Sequence, residues 1–409
     1  MRHIEDKKKV ELLAPAGNFE KLEIAVHYGA DAVYLAGKTF SLRNFSDNFT
    51  IDELQQAVAF ARRQGVKVYV TCNIYPRNHE QKELIDYLNM LGDIGPDALI
   101  VTDPGTIMMA SKTIPHIPLH LSTQANTTNY QSALFWQQLG IKRINAAREL
   151  SLKEINEIVR HSHLEIEAFV HGAMCISYSG RCLLSNFMAN RDSNHGECAH
   201  PCRWKYAVVE EFRPGHYLPI EEDHRGSYIF NSKDLCLIEH IPEMVASGVA
   251  SLKIEGRMKG IHYLASTVKV YREAIDAYLN DPADYRVESH WHNELAGLNR
   301  RGYCTGFYLG DPKQLLPAYD KQEQVHLIFI GKVLRKAPGS GMNIHVRNKF
   351  FLGDAIDVLR RTGPSVQDTV NAIFDRNGQP LPFAQPNSFV TIKLNRDYEP
   401  NDLIRKSDP

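Results

Sequence analysis

Cysteines are concentrated in one part of this sequence, where their thiols could bind a metal. Five of the seven cysteines lie between residues 175 and 236, and they are Cys175, Cys182, Cys198, Cys202 and Cys236. Cysteine is among the most buried residue types, so a structural thiol explains Cys72 or Cys304 alone, but it explains a group of five poorly. A zinc site and an iron–sulfur cluster are the two metal centres that such a group suggests.

The spacing of these cysteines ranks the alternatives without excluding any. Cys198 and Cys202 form a C-x(3)-C pair, which is typical of structural zinc sites, whereas six residues separate Cys175 from Cys182. Iron–sulfur clusters take four thiolates, and their ligands need not be evenly spaced. Spacing therefore favours a cluster over zinc, and zinc over structural thiols, and all three remain open.

Motifs of common hydrolases and nucleotide-binding proteins are absent from the sequence. It has no H-E-x-x-H, no G-x-S-x-G and no G-x-G-x-x-G after a strand, and "AGKTF" lacks the first glycine of a phosphate-binding loop. A Cys–His dyad, such as Cys175 with His171, is left open. No known protease constellation can be recognised.

Polar side chains follow most of the apolar runs in the first 260 residues. Those that could act in a site are Gln124, Asn126, Arg148, His171, Lys253, Glu255 and Arg257. Any one of them alone is more simply interpreted as a helix-capping residue or a solvent-exposed loop residue. Together they predict a pocket for an anionic small molecule, because a guanidinium matches a carboxylate with two parallel hydrogen bonds.

Eight strand-like runs alternate with helix-like segments and would position these side chains. The runs are "VELLAPAG", "DAVYLAG", "KVYVTCN", "DALIVTD", "LHLSTQA", "RINAARE", "IEAFVHG" and "ASLKIEGR". Such alternation predicts an α/β fold, a (β/α)8 TIM-like barrel over residues 10–280 with its site at the carboxyl ends of the strands. A doubly wound open sheet is the alternative. The cysteine-rich stretch 172–235 is an insertion after the seventh strand, longer than ordinary loops.

The sequence beyond the barrel changes character. Residues 281–322 form a connecting segment, and residues 323–409 contain β-like runs separated by glycine, proline and asparagine turns. We predict a small C-terminal β-barrel domain there.

Charge and hydropathy restrict the partners and the compartment. The formal net charge is −1 over 409 residues, so RNA binding would need a local basic patch. No apolar run reaches the ~18 residues that a membrane helix needs, and the charged start does not resemble a signal peptide. We expect a cytoplasmic protein without membrane contact, with reduced cysteines.

Several long motifs resemble one known family. "EAFVHGAMCISYSGRCLLS", residues 167–185, resembles the signature of the peptidase U32 family, whose members are often called collagenase-like proteases. "LLAPAGNFEKLEIAVHYGADAVYLAG", "SKDLCLIEHIP", "SLKIEGRMKG" and "RRGYCTGFY" resemble other blocks of that family. The resemblance covers about residues 10 to 310, and the C-terminal β domain fits its longer members.

The resemblance implies RNA modification more than proteolysis. Several branches of the family resemble oxygen-independent hydroxylation proteins, and the length of this chain is most similar to the branch that forms 5-hydroxyuridine at the wobble position of tRNA. That branch implies a [4Fe–4S] cluster, prephenate as cosubstrate and tRNA as partner. A U32 peptidase and a non-catalytic iron–sulfur scaffold are the alternatives, and a protein partner is left open.

The resemblance also assigns roles to residues. It implies Cys175, Cys182, Cys198 and Cys236 as cluster ligands, with Cys202 in reserve. We assign His171, Glu255 and Arg257 to catalysis. We assign the binding of a small dicarboxylate to Gln124, Asn126, Arg148 and Lys253. The candidates for RNA contact are Arg181, Arg191, Arg203, Trp204 and Lys205, since basic side chains meet phosphates and an indole stacks on a base.

Overall fold

Eight short runs of buried residues form a closed parallel barrel. The structure, a computed structural model, describes residues 10–42, 47–174, 177–201, 221–223, 226–228, 233–298, 302–310, 327–337 and 341–407. The barrel strands are β1 (Glu11–Pro15), β2 (Ala32–Ala36), β3 (Lys67–Cys72), β4 (Ala98–Val101), β5 (Leu119–Leu121), β6 (Arg143–Asn145), β7 (Glu165–Gly172) and β11 (Ser251–Ile254). Their side chains are almost all buried, which explains the continuous apolar runs.

Closure of the sheet distinguishes the barrel from an open sheet. Each strand pairs in parallel with the next, and β11 pairs with both β7 and β1. In this closing contact Ser251 lies opposite Glu11 on one side and Glu167 on the other. The predicted (β/α)8 barrel is therefore confirmed, and the doubly wound alternative is wrong.

Helices surround the barrel and connect its strands. They are α1 (Phe19–His27), α2 (Ile51–Arg63), α3 (Gln81–Ile94), α4 (Pro104–Thr113), α5 (Tyr130–Gln138), α6 (Leu152–His161), α8 (Ile241–Ala246) and α9 (Ile261–Asn280). At the start of α2, Thr50 Oγ1 accepts from the Glu53 amide at 3.2 Å, and the Glu53 carboxylate accepts from the Thr50 amide at 2.7 Å. This reciprocal pair of hydrogen bonds is a capping box.

A buried ionic network fills the amino-terminal half of the barrel interior. Arg143 contacts Glu11 at 2.5 Å and Glu165 at 2.7 Å, and Lys253 contacts Glu167 at 2.7 Å. Pairing offsets the cost of placing charges inside a low-dielectric core. Arg143, Lys253, Glu11 and Glu167 are thus structural neighbours within one polar layer.

The cysteine-rich insertion begins after β7 and returns to the barrel through a strand. It contains α7 (Leu184–Ala189), β8 (Glu221–Asp223) and β9 (Gly226–Tyr228). β10 (Asp234–Cys236) then pairs antiparallel with the end of β7, Cys236 lying opposite His171. The sequence "SKDLCLIEHIPEMVASG" has the pattern of a crossover helix, but Asp234–Cys236 extend the sheet edge, and the helix α8 begins only at Ile241.

The connecting segment contains regular structure and leads to the C-terminal domain. Its elements are α10 (Ser289–Ala296) and β12 (Tyr303–Cys304). The domain comprises β13 (Leu327–Ala337), β14 (Gly341–Val346), β15 (Phe350–Phe351), β16 (Ala355–Leu359), β17 (Val366–Thr369), β18 (Ala372–Phe374), β19 (Phe383–Ala384), β20 (Phe389–Lys393) and β21 (Leu403–Ser407). Seven of these strands form one antiparallel sheet in the order β17-β16-β21-β13-β14-β20-β18, with its own apolar core.

No helix within the described ranges is both long enough and apolar enough to span a membrane.

Candidate active site at the barrel mouth

The carboxyl ends of the barrel strands, here called the mouth, bring most of the predicted site residues together. Gln124 and Asn126 follow β5, Arg148 follows β6, and His171 lies at the end of β7. Glu255 and Arg257 follow β11. Because all eight strands run parallel, their carboxyl ends share one face of the barrel. A cavity of about 580 Å³ lies at the opposite end, against the loops before β2 and β3, and none of the candidate residues lines it.

Arg148 is held rigidly at the mouth by uncharged partners. Its Nη1 donates to the carbonyl oxygen of Ala173 at 2.6 Å, and its guanidinium carbon lies 3.8 Å from the centre of the Phe169 ring. Within the described part of the chain, no carboxylate lies in ion-pair distance of this guanidinium. A fixed positive charge of this kind suits an anionic ligand.

Arg257 is the second arginine of the mouth. It is buried, and its Nη1 donates to Thr71 Oγ1 at 3.3 Å. The carbonyl oxygen of Arg257 accepts from Lys21 Nζ at 3.0 Å, which fixes the backbone after β11. The assignment of Arg257 to catalysis stays a prediction.

Glu255 lies beside a tyrosine that the sequence interpretation missed. Tyr34 of β2 has its hydroxyl 3.1 Å from the Ile254 carbonyl oxygen and 3.3 Å from Glu255 Oε2. Burial, followed by the charge of Glu255, holds the pKa of Tyr34 well above its usual range, so the phenol stays protonated. Glu255 is half-buried and is therefore a carboxylate with both a protein partner and access to the mouth.

A short turn after β5 supplies two amide side chains. Gln124 is buried, and its Oε1 accepts from Asn73 Nδ2 at 2.8 Å and from Ser122 Oγ at 3.2 Å. Asn126 has a left-handed backbone, with φ +53°, and its buried Nδ2 has no hydrogen-bond partner among the described residues. A buried donor left without a partner is costly, so Asn126 is well placed to donate to a ligand.

Lys253 lies below the mouth, and its charge is already compensated. Its ammonium is paired with Glu167 and lies 4.5 Å from the centre of the Tyr34 ring. Only 5 % of Lys253 is exposed. The structure thus places this residue in the interior network, and its assignment to substrate binding stays a prediction that this pairing makes weaker.

His171 is enclosed by aromatic rings. The ring centres of Tyr263, Tyr271 and Tyr303 lie 5.3 to 5.8 Å from that of His171, and Nδ1 is 3.4 Å from the Tyr271 hydroxyl. Desolvation, with a smaller contribution from Lys259, lowers the pKa of His171 to about 3. The imidazole is therefore neutral near pH 7, and its assignment as a catalytic residue stays a prediction.

The insertion folds back onto the mouth through residues 177–181. The backbone amide of Ser179 donates to Glu149 Oε1, and Ser179 Oγ lies 3.4 Å from Thr123 Oγ1. Gly180 has φ +73°, and a Cβ there would overlap the backbone of Gln124. Glycine is needed at this position because both the backbone conformation and the close approach exclude a side chain.

Three of the five candidate cluster ligands lie among the described residues. Cys182 and Cys198 are free and half-buried, in segments joined by hydrogen bonds from Ser193 Oγ to the Cys182 carbonyl and from the Ala199 amide to Ser185 Oγ. Burial raises the pKa of Cys236 to about 11. Cys175 and Cys202 lie outside the described residues, within which no group of three or more metal-binding side chains is assembled.

Only two of the five predicted RNA-contacting residues can be placed. Arg181 is exposed, whereas Arg191 Nε donates to the Glu197 carbonyl at 3.0 Å and braces the insertion. The remaining candidates, Arg203, Trp204 and Lys205, lie outside the described residues. Tyr178 and Leu183 flank Arg181 with side chains 65 % and 68 % exposed, and sequence patterns gave no reason to select them.

Comparison with known families accounts for both parts of the chain. The model of peptidase family U32 matches residues 17–316, and the model of the peptidase family U32 C-terminal domain matches residues 326–405. The first match contains the barrel strands from β2 onward and the insertion, and the second contains the C-terminal sheet.

Individual relatives match almost the whole chain. The chain is 42 % identical to tRNA hydroxylation protein P1 of Bacillus subtilis over 407 aligned residues. The alignment covers 98 % of this chain and 95 % of that relative. The chain is 37 % identical to tRNA hydroxylation protein P of Escherichia coli over 437 aligned residues, and the alignment covers 96 % of this chain and 95 % of that relative. The chain is 29 % identical to a collagenase of Porphyromonas gingivalis over 415 aligned residues, and the alignment covers 97 % of this chain and 98 % of that relative.

Proposed function

The chain belongs to peptidase family U32, and from that premise we propose that it is an enzyme that hydroxylates a uridine of tRNA. The observation that carries the proposal is the 42 % identity to a tRNA hydroxylation protein, which extends through both the barrel and the C-terminal domain. We place the reaction at carbon 5 of the wobble uridine, at the barrel mouth.

A dicarboxylate cosubstrate, for which prephenate is the candidate, would bind at the mouth. Arg148 offers a fixed guanidinium, Arg257 offers a second one, and Asn126 offers an amide donor that has no partner among the described residues. Charge-assisted hydrogen bonds are about twice as strong as neutral ones, so two arginines select a dianion over a neutral ligand. Gln124 braces the turn that carries Asn126.

A [4Fe–4S] cluster is the proposed cofactor, held by Cys175, Cys182, Cys198 and Cys236. The donor chemistry fits, because Cys182 and Cys198 are free thiols in one hydrogen-bonded unit and Cys236 lies at the sheet edge opposite His171. Such a cluster, when bound, supplies one-electron transfer. The residues of this chain would hold the cluster beside the mouth and keep water from the aromatic enclosure around His171.

Peptide hydrolysis is the second candidate function. Its support is the identity of 29 % to a collagenase along nearly the whole chain. The mouth argues against it, because the ring contacts of His171 are with tyrosines, and its depressed pKa makes it a poor general base near pH 7.

Nucleoside analysis of tRNA tests the proposal. A strain that lacks this gene should lose 5-hydroxyuridine and its derivatives, and the intact gene on a plasmid should restore them. Full levels in the deletion strain, with every paralogue also deleted, would show that the chain does not hydroxylate tRNA. Purified protein that then cleaves gelatin, and loses this activity through a point substitution at the mouth, would establish the peptidase instead.

A further inference from the structure

One face of the C-terminal sheet exposes aromatic rings instead of burying them. On the β14–β20–β18 part of the sheet, Ile344, Val390 and Ile392 point into the domain core. The alternate residues point outward, since side chains of a strand alternate between its two faces. The outward residues, with one from the turn after β18, define what we call the aromatic face: Asn343, His345, Phe374, Arg376, Phe389, Thr391 and Lys393.

The strand register places these residues in adjacent cross-strand rows. His345 of β14 lies opposite Phe389 of β20, and Thr391 of β20 lies opposite Phe374 of β18. Directly opposite residues have side chains about 5 Å apart, so the two rows form one continuous surface.

Each phenylalanine of this face is paired with a cation. The Arg376 guanidinium carbon lies 4.6 Å from the centre of the Phe389 ring, on which His345 also stacks at 4.5 Å with an angle of 10° between planes. Lys393 Nζ lies 5.8 Å from the centre of the Phe374 ring. The cations keep exposed rings oriented and bring positive charge beside them.

The two phenylalanine rings of the aromatic face are partly accessible to solvent. Phe389 is 39 % exposed and Phe374 is half-buried, while Arg376 and Lys393 are exposed. The nearby carboxylate of Asp375 accepts from the amides of Asn377 and Gln379 at 2.8 Å and is used within its own turn. The face therefore presents flat apolar rings with a local excess of positive charge, in a chain whose net charge is −1.

The aromatic face lies beside the mouth side of the barrel. His345 is paired across the sheet with Lys332, whose Nζ lies 3.2 Å from Glu20, and Arg347 contacts Glu20 at 2.6 Å. Glu20 is in the first turn of α1, the end that directly follows the carboxyl end of β1. A ligand that enters the mouth can thus extend along this edge of the C-terminal domain.

We propose that the aromatic face binds single-stranded nucleotides of the RNA substrate, with bases stacked on Phe374 and on the stacked His345–Phe389 pair, and phosphates near Arg376 and Lys393. This inference rests on the proposed function, which supplies an RNA substrate. Aromatic platforms flanked by cations are the surface that single-stranded nucleic acid requires, because each base has an aromatic face and each linkage carries a negative charge. The aromatic face would bind nucleotides other than the one that reacts, and it would do so without residues of the insertion.

Binding of the full-length chain to an unmodified tRNA transcript, and to single-stranded oligouridine, tests this proposal. Phe389→Ala and Phe374→Ala should each weaken affinity about 5- to 100-fold through loss of a stacked base. Arg376→Ala and Lys393→Ala should each reduce the slope of log affinity against log salt by about 0.7. The matched controls are Phe135→Ala, a 53 % exposed phenylalanine of α5, and Arg286→Ala, an 82 % exposed arginine, and both should bind like the unaltered chain.

The outcomes separate this inference from the proposed function. An unchanged affinity of the Phe374→Ala/Phe389→Ala double variant, with an unchanged melting temperature, would overturn it, as would failure of the unaltered chain to bind tRNA. Loss of modification in cells with unchanged tRNA affinity would assign the face to a protein partner and also overturn it. Since binding is measured without the reaction, a deletion strain with normal tRNA would refute the proposed function and leave the binding result valid.

Discussion

Single residues of the mouth differ in whether their charge is still available to a ligand. Lys253 has the same sign of charge as Arg148, but a carboxylate 2.7 Å away neutralises it. Arg148 donates to a backbone carbonyl and rests on a phenylalanine ring, and both contacts position the guanidinium without cancelling its charge. Arg148 therefore keeps a charge that a ligand at the mouth can use and Lys253 does not, although the sequence suggested both cations equally.

Substitution of Arg148 tests this difference directly. Arg148→Ala should lower the 5-hydroxyuridine content of tRNA about 10- to 100-fold, because one charge-assisted hydrogen bond contributes about 1.5–3 kcal/mol. The measurement is nucleoside mass spectrometry of tRNA from the complemented deletion strain. Arg160→Ala, an exposed arginine at the end of α6, is the matched control and should retain full modification. Equal effects of the two substitutions would exclude a specific role for Arg148.

The cysteines also differ in role, because some are proposed cluster ligands and others pack in the apolar core. Protein purified without oxygen should contain near four iron and four sulfide per chain, as a [4Fe–4S] cluster requires. Cys182→Ala should lose this iron, because a half-buried free thiol in the insertion is a ligand candidate, whereas Cys72→Ala should keep it, because Cys72 is buried in the apolar core. Stoichiometric zinc without iron would contradict the cluster.

Whole elements bring these residues together, and the insertion is the element that the barrel pattern does not explain. Its turn at residues 177–181 is fixed to the ends of β5 and β6 through Ser179, Glu149 and Gly180. Strands β7 and β10 hold the two ends of the insertion, since Cys236 pairs with His171. The turn at residues 177–181 is therefore a lid on the mouth, and its position depends on a few close contacts.

A methyl group at Gly180 should displace that lid. Gly180→Ala would place a Cβ against the Gln124 backbone at φ +73°, so the turn must move. We expect faster limited proteolysis within residues 177–201 and a lower iron content. Gly65→Ala, with φ +71° but no atom within 4 Å of the new Cβ, carries the same backbone strain of about 1 kcal/mol and is the control. Proteolysis that is equally fast in both variants would mean that strain alone, and not the contact, is responsible.

Sequence patterns predicted the barrel well because its strands are buried on both faces. Runs such as "AVYLA" are unambiguous, and glycines 29, 65 and 140, which follow helix-like segments, have the positive φ typical of residues that end helices. The strand β10 was missed because "DLC" is too short to show a period and is defined only by its pairing with β7. Tyr34 was missed because every residue of β2 is buried, so the sequence gives no indication of which side chains of the strand reach the mouth.

At the scale of the whole molecule, the two domains are joined by buried polar contacts. Arg405 of β21 donates to Asp357 within the C-terminal domain at 3.0 Å and to Glu294 of α10 at 3.0 Å. Tyr28 of α1 donates to the Leu359 carbonyl at 2.8 Å. Removing one member of a buried ionic group leaves its partners uncompensated, which costs about 3–5 kcal/mol. These contacts fix the aromatic face relative to the mouth.

His262 makes this junction sensitive to acid. Its Nε2 lies 3.2 Å from Arg405 Nη1 and must accept, so the neutral imidazole is the form that fits. Desolvation, followed by the charge of Arg405, lowers the pKa of His262 to about 4. A folded-state pKa below the unfolded value of about 6.5 means that this contribution to stability is complete above pH 6.5 and declines as the pH falls toward 4.

A glutamine at this position separates the hydrogen bond from the titration. His262→Gln keeps an acceptor for Arg405 but cannot be protonated, so the variant should lose less stability in acid than the unaltered chain. Between pH 7 and pH 5 the unaltered chain should lose about 2 kcal/mol more of its free energy of unfolding, measured by urea denaturation. All other titrating groups are shared by the two proteins, and their contributions cancel in the comparison. Parallel pH profiles would show that Arg405 and His262 are not coupled, and that the junction tolerates a charged imidazole.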